Sequence, residues 1–254
     1  MHWQVLLLQK FTYNVKCVVE YDGTRYAGFQ IQPNEDTIEQ HLIEVLSLIT
    51  KEKTKIYGSG RTDKGVHAKG QVFNFYTNIR IPEDRFLYAL NNQLPLDIRI
   101  KSLKYVNMDF HARFSAKKKE YRYFIKTRDF NAFDVNYRDY QKNLDVNLMK
   151  KALELLVGKH NFKGFCSVDV HPNKDFVKTI FKAELINNSK TLEFRFVGTG
   201  FLKYQIRRMM ALIIAIGKHE EKVETVSKIL ETTDPFVFTK VANPCGLYLW
   251  HVYY

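Results

Sequence analysis

Gly58-Ser59-Gly60-Arg61-Thr62-Asp63-Lys64-Gly65-Val66-His67-Ala68 sets a single carboxylate, Asp63, among three glycines and two residues from a fixed cation, Arg61. Glycine tolerates positive φ and lets backbone approach a ligand closely. A lone acid beside an arginine on so permissive a loop reads as a reactive centre. The competing reading of the spacing is a glycine-rich hairpin with an exposed aspartate. Two familiar glycine-rich sites are excluded. The phosphate loop G-x-x-x-x-G-K-[ST] fails because Val66 and His67 follow Gly65. The dinucleotide fingerprint G-x-G-x-x-G fails because Asp63 stands in the third glycine's place, where it would repel a pyrophosphate.

Working outward from this loop, the chain alternates strands and amphipathic helices. Tyr13 to Tyr21 reads as a strand closed by the turn signal Asp22-Gly23. Thr37-Ile38-Glu39-Gln40 fits a capping box, followed at helical spacing by Leu42, Val45, Leu46 and Ile49. Strands are expected near 55–57 and over 71–76, a helix over 83–94 and a strand over 98–106. Beyond these, a strand is expected over 120–126 and a helix after Asp145. A hairpin around Asn187-Asn188 joins strands 177–187 and 191–197. Helices over 201–217 and 221–231 and a closing strand over 246–254 complete the chain. This is an α+β pattern. It divides into an N-terminal extension (1–13), a first subdomain with the aspartate loop (14–114) and a second subdomain (115–254).

The 254 residues carry 39 Lys+Arg against 27 Asp+Glu, a net charge of +12, with 45% hydrophobic residues. That length holds one large or two smaller domains. The cationic excess favours a polyanion, nucleic acid first, over a merely solvated basic surface. The 15 Tyr and 19 Phe suit stacking on unpaired bases, although most such rings belong to a core. Cys17, Cys166 and Cys245 are odd in number and far apart, which argues for reduced thiols in the cytoplasm and against a zinc site. His219-Glu220 begins a zinc-protease motif, but Val223 stands where its second histidine belongs. The apolar runs 5–8 and 209–216 are too short for a signal peptide or a membrane span, so a soluble protein is expected.

Two further segments combine cations with aromatics. In Asp109–Tyr123, Lys117, Lys118, Lys119 and Arg122 can neutralise phosphates and Tyr121 can stack on a base. The plainer reading is a basic turn entering a strand with core tyrosines. His67 and His111 read as structural hydrogen-bonding groups. In Phe201–Met210, Arg207 follows Lys203 by one helical turn, so the two are expected on one helix face. An arginine so near the apolar stripe needs a carboxylate or a phosphate as partner, unless it snorkels to water.

Together these segments resemble the TruA-type tRNA pseudouridine synthases. The markers are Tyr21-Asp22-Gly23 with Gly28-Phe29-Gln30, then Gly60–Ala68, then Asp109–Tyr123. Phe201-Leu202 with Gln205–Met209 and the terminal Gly246–Leu249 follow in order. The resemblance implies a pseudouridine-synthase fold: two ferredoxin-like halves sharing an extended, mainly antiparallel sheet, with helices on one side and a central cleft. It implies isomerisation of uridine to pseudouridine on the 3′ side of the tRNA anticodon stem-loop, by a homodimer without cofactor or metal. Asp63 matches the family's catalytic aspartate and Arg61 the arginine beside it. Tyr121 matches the tyrosine against the target base, and Arg207 a cleft arginine expected to pair with the aspartate. Gly60, Thr62, Lys64, His67 and Phe29 then fall on the substrate side, as do Lys203 and Arg208 and the basic run Lys117–Lys119 with Arg122.

The chain departs from the family at Phe29 (usually Trp), Lys178 (usually Arg) and Ala211 (often Gly), and matches poorly over Ser167–Phe176. Two rival readings remain at this stage. A non-catalytic RNA-binding module is suggested by Lys69–Tyr76, a partial RNP1 pattern. A nucleotide hydrolase is opposed by the missing phosphate loop.

Overall fold

Strict alternation puts Val15, Cys17, Val19 and Tyr21 of β1 (Tyr13–Tyr21) on one buried face, and Lys16, Val18 and Glu20 on the other. The computed structural model describes residues 11–167 and 175–254. Most of the expected N-terminal extension, and most of Ser167–Phe176, lie outside the described residues. The chain forms two units. One runs to Lys117 and takes back Leu249–Tyr254; the other is Lys118–Tyr248.

In the first unit β1 pairs antiparallel with β3 (His67–Thr77) and β4 (Ile98–Val106), and β2 (Ile56–Gly58) pairs with β3. The end of β10 (Leu247–Tyr253) lies beyond β3. Helices α1 (Ile38–Thr50) and α2 (Glu83–Gln93) close over the buried face, where Phe86 meets Phe75 edge-on at 6.1 Å. The opposite face of this sheet carries Asn14, Lys16, Tyr57, Asn74 and Tyr76.

In the second unit β5 (Lys118–Lys126), β9 (Thr191–Gly198), β8 (Val177–Asn187) and β7 (Gly158–Asn161) follow one another antiparallel. A short β6 (Asp139–Tyr140) pairs parallel to β5. Three helices accompany this sheet: α3 (Val146–Glu154), α4 (Gln205–Gly217) and α5 (Glu224–Thr232). Asp145 caps α3 by accepting from the N–H groups of Asn147 and Leu148, an arrangement worth about 1 kcal/mol. The α+β class with mainly antiparallel strands therefore stands as the pattern predicted, with five α-helices among the described residues. The three cysteines are free thiols.

Two local expectations are corrected. The capping box does not form: Thr37 makes no side-chain cap, and Gln40 donates instead to Glu44 at 2.9 Å. The first turn of α1 is capped by the preceding loop. The Gly28 and Phe29 carbonyls accept from the N–H groups of Ile38 (3.2 Å) and Glu39 (2.8 Å), and the Glu39 carboxylate accepts from Ile31 N–H. The long helix begins at Gln205, not Phe201. Tyr204 takes a left-handed conformation (φ 63°), and the Gln205 side chain accepts from Leu202 N–H at 2.9 Å to close a turn. Lys203 and Arg207 therefore do not share a helix face.

Face alternation also explains a buried charge. Glu120 is 1% exposed on β5, and its carboxylate takes Arg122 at 2.9 Å and Arg195 of β9 at 2.9 and 3.0 Å. Arg122 and Arg195 reach on to Glu193 and Glu184. Glu120→Gln keeps the shape but removes the charge that both guanidiniums use. It is expected to cost about 2 kcal/mol, read as a lower urea midpoint at unchanged slope. An unmoved midpoint would mean that water serves the two arginines equally well.

Candidate active site

The aspartate loop joins β2 to β3 and is held from three sides, all within the first unit. At its entry, Ser59 donates to the Gln71 side-chain oxygen at 2.6 Å, and the Gln71 amide donates to the Gly60 carbonyl at 2.9 Å. In the middle, Thr62 is buried. Its hydroxyl shares a 2.8 Å hydrogen bond with Tyr21, and its carbonyl accepts from Phe29 N–H at 3.1 Å. Burial raises the Tyr21 phenol far above its ordinary pKa, so this hydroxyl stays protonated at neutral pH. At the exit, Asp63 and Val66 close a turn: the Asp63 carbonyl accepts from Val66 N–H at 3.1 Å, and Gly65 supplies φ 75°.

Two earlier loops press on this one. A Cβ at Gly28, itself at φ 108°, would stand 2.7 Å from the Thr62 carbonyl oxygen; one at Gly23 would collide with the Val66 carbonyl. Glycine is required at both places by close backbone approach. Phe29 is 2% exposed and packs its ring against Gly58, so it supports the loop from beneath. His67 is buried, and its Nδ1 accepts from Gly23 N–H at 3.1 Å, which ties the same two loops together. The outcome is a half-buried Asp63 on a fixed backbone, with the exposed side chains of Arg61 and Lys64 either side of it in sequence. A carboxylate so held can act as a nucleophile or as a base with little cost of reorganisation.

In the second unit, Tyr121 on β5 is 8% exposed and meets Phe201 edge-on at 5.2 Å. Arg207 is half-buried; its Nε donates to the Ala242 carbonyl at 2.8 Å, and its guanidinium lies 5.3 Å from the Tyr204 ring. Lys203 approaches the same ring at 5.4 Å, so Tyr204, and not a helix face, gathers the two cations. Arg208 is 6% exposed. It donates to the carbonyls of Cys166, Pro235 and Phe238, and so fastens two loops to α4. Arg122 is engaged by Glu120 and Glu193. Lys117 and Lys118 are exposed and Lys119 is half-buried.

A sequence profile described as tRNA pseudouridine synthase matches residues 17–115 and 152–254. The chain belongs to the tRNA pseudouridine synthase family. Its members are isomerases that convert uridine to pseudouridine. A protein named tRNA pseudouridine synthase A from Exiguobacterium sp. strain AT1b is 42% identical over 245 residues, covering 94% of this chain and 97% of the relative. One of the same name from Bacillus subtilis strain 168 is 38% identical over 244 residues, covering 94% and 98%. A chain from a solved Cbf5-Nop10-Gar1 complex covers 78% of this chain and 54% of its own length, at 12% identity and a TM-score of 0.31, too low to add to the assignment.

Against this family background, the first-unit residues named from sequence, Lys117 apart, converge on one loop. Asp63, Arg61, Gly60, Thr62 and Lys64 lie on it, and Phe29 and His67 brace it. Sequence reasoning missed Ser59, Gln71 and Tyr21 as bracing side chains. The signal was the polarity of Tyr21 and Gln71 within apolar strands and of Ser59 just after β2, and their partners appear once β2 is paired to β3 and β3 to β1. Among the described residues no cluster of three His, Cys, Asp or Glu could hold a metal ion, and no helix is long and apolar enough to cross a membrane.

Proposed function

We propose that this protein converts uridine to pseudouridine on the 3′ side of the anticodon stem-loop of tRNA, with Asp63 as the reacting group. The observation that carries the reading is the half-buried Asp63 on a loop locked through Gly60, Thr62 and Gly65, at the position of the family's catalytic aspartate. The reaction breaks the bond from uracil N1 to ribose C1′, turns the base and joins C5 to C1′. The proton displaced from C5 is lost and N1 gains one, so substrate and product are isomers. Asp63 acts either by attack on C1′ or by removing the 2′ proton as uracil departs.

The target nucleotide leaves its stack to react, which costs roughly a few kcal/mol. On this reading Tyr121 stacks on that base, which returns about 1–3 kcal/mol, and Arg61 and Arg207 stabilise charge. Lys64, Lys203 and the run Lys117–Lys119 are assigned to phosphates. Arg122 and Arg208, committed to carboxylates and carbonyls, act on the substrate only through the architecture they hold. The resemblance favours a homodimer, and the odd, widely spaced cysteines favour a cytoplasmic location.

The rival RNA-binding module loses its footing because the partial RNP1 pattern has Gln71 at its first aromatic position and its central ring, Phe73, is wholly buried. An RNP1 ring has to lie open to a base. Treating an unmodified anticodon-arm transcript with the protein, then digesting it to nucleosides, is expected to release pseudouridine from the 3′ side of that arm. Uridine alone in the digest would reject the reading.

A further inference from the structure

A second segment of the first unit is held by its own set of hydrogen bonds. Asn14 and Asn74, both buried on the sheet face away from α1 and α2, grip residues 107–112. The Asn14 amide donates to the Asn107 and Phe110 carbonyls at 2.9 Å, the Asn74 oxygen accepts from Ala112 N–H at 2.8 Å, and Asn74 donates to Asn14 at 3.0 Å. The Tyr254 hydroxyl donates to the Ala112 carbonyl at 2.7 Å. Residues 111–115 then close on themselves. His111 N–H donates to the Ser115 hydroxyl, Ser115 N–H to the His111 carbonyl, and Arg113 N–H to the His111 ring.

What this rigid turn displays is a phenyl ring. Phe114 is 71% exposed, packed at 4.4 Å against His111, which meets Tyr57 at 5.2 Å; Tyr57 meets Tyr76 at 5.9 Å. Cations flank the row, with Arg113 5.6 Å from the Phe114 ring and Lys55 5.3 Å from that of Tyr57. Burial and the neighbouring Arg113 hold His111 below the usual imidazole pKa, so its ring is neutral at pH 7. Single exposed aromatics are common on surfaces. A row of rings on a pinned turn, with an exposed cation at each of two rings, has the composition of surfaces that stack unpaired bases and meet their phosphates.

We propose that Phe114, with His111, Tyr57, Arg113 and Lys55, forms a platform that binds unpaired nucleotides of the RNA substrate. Phe114 stacks on a base, and Arg113 and Lys55 meet flanking phosphates. The inference rests on the reading of tRNA as substrate; the net charge of +12 and the cations of the row favour RNA over a protein partner.

The test measures equilibrium binding of the unmodified tRNA transcript by the full chain, with turnover read separately. Phe114→Ala is expected to weaken binding by about ten-fold, with kcat at saturating tRNA and the thermal midpoint unchanged. Arg113→Gln is expected to lower the slope of log affinity against log salt by about one. Tyr88→Ala, which removes an aromatic side chain 72% exposed on α2, is the control and should bind as wild type. Wild-type affinity for Phe114→Ala, or an equal loss for Tyr88→Ala, overturns the platform. Because binding is read without turnover, failure of the platform is distinct from failure of wild type to make pseudouridine.

Discussion

Asp63→Asn is expected to abolish turnover, by at least ~10⁴-fold, while tRNA affinity stays at the wild-type level. Asparagine matches aspartate in shape. The hydrogen bonds described for the loop run through main-chain atoms of Gly60, Thr62 and Asp63 and the side chains of Ser59 and Thr62, all of which the substitution keeps. What it removes is the ionised oxygen, which is needed both for attack on C1′ and for removal of the 2′ proton. Single-turnover assays with a tRNA transcript, paired with a binding measurement, separate the two effects. Activity above trace would move the chemistry to another residue, and a large loss of affinity would make Asp63 a folding group.

Gly23→Ala is expected to have the next largest effect, although it lies outside the loop it would damage. The added methyl group would run into the Val66 carbonyl, a backbone atom that cannot rotate away. Val66 N–H is bonded to the Asp63 carbonyl at 3.1 Å, so a displaced Val66 carries Asp63 with it. Misplacement of a reacting group by ~1 Å costs on the order of 100-fold in rate. The strain is expected to cost about 1–3 kcal/mol in stability as well. The rate under saturating tRNA and the urea midpoint should therefore fall together. A wild-type rate would mean that the turn yields without moving the carboxylate.

How much of this was legible beforehand varies with the kind of interaction. The β1, β4 and β8 boundaries matched the expected spans because their signals, face alternation in β1 and the Asn187-Asn188 turn after β8, are local. Asp145 began α3 as a capping residue for the same reason: its partners, Asn147 and Leu148, are two and three residues away. Thr37 carried the same kind of signal and failed. The loop at Gly28 and Phe29 caps the helix instead, offering carbonyls to the N–H groups of Ile38 and Glu39, and tertiary context prevailed over local preference. The start of α4 failed similarly, because Tyr204 adopts φ 63° beneath two cations, a conformation that no periodicity foretells.

The site divides along the same line. The sequence by itself determined the α+β alternation, the family and the glycine-rich loop around Asp63, because each rests on residues adjacent or regularly spaced in the chain. Only the tertiary structure decided which polar groups hold the scaffold. Arg122 and Arg208 resembled phosphate ligands until their carboxylate and carbonyl partners came into view, and His111 and Phe114 looked ordinary until Asn14, Asn74 and Tyr254 fixed them outward. A buried polar group takes whatever partner folding brings to it, and that partner is commonly dozens of residues distant, where no motif records it.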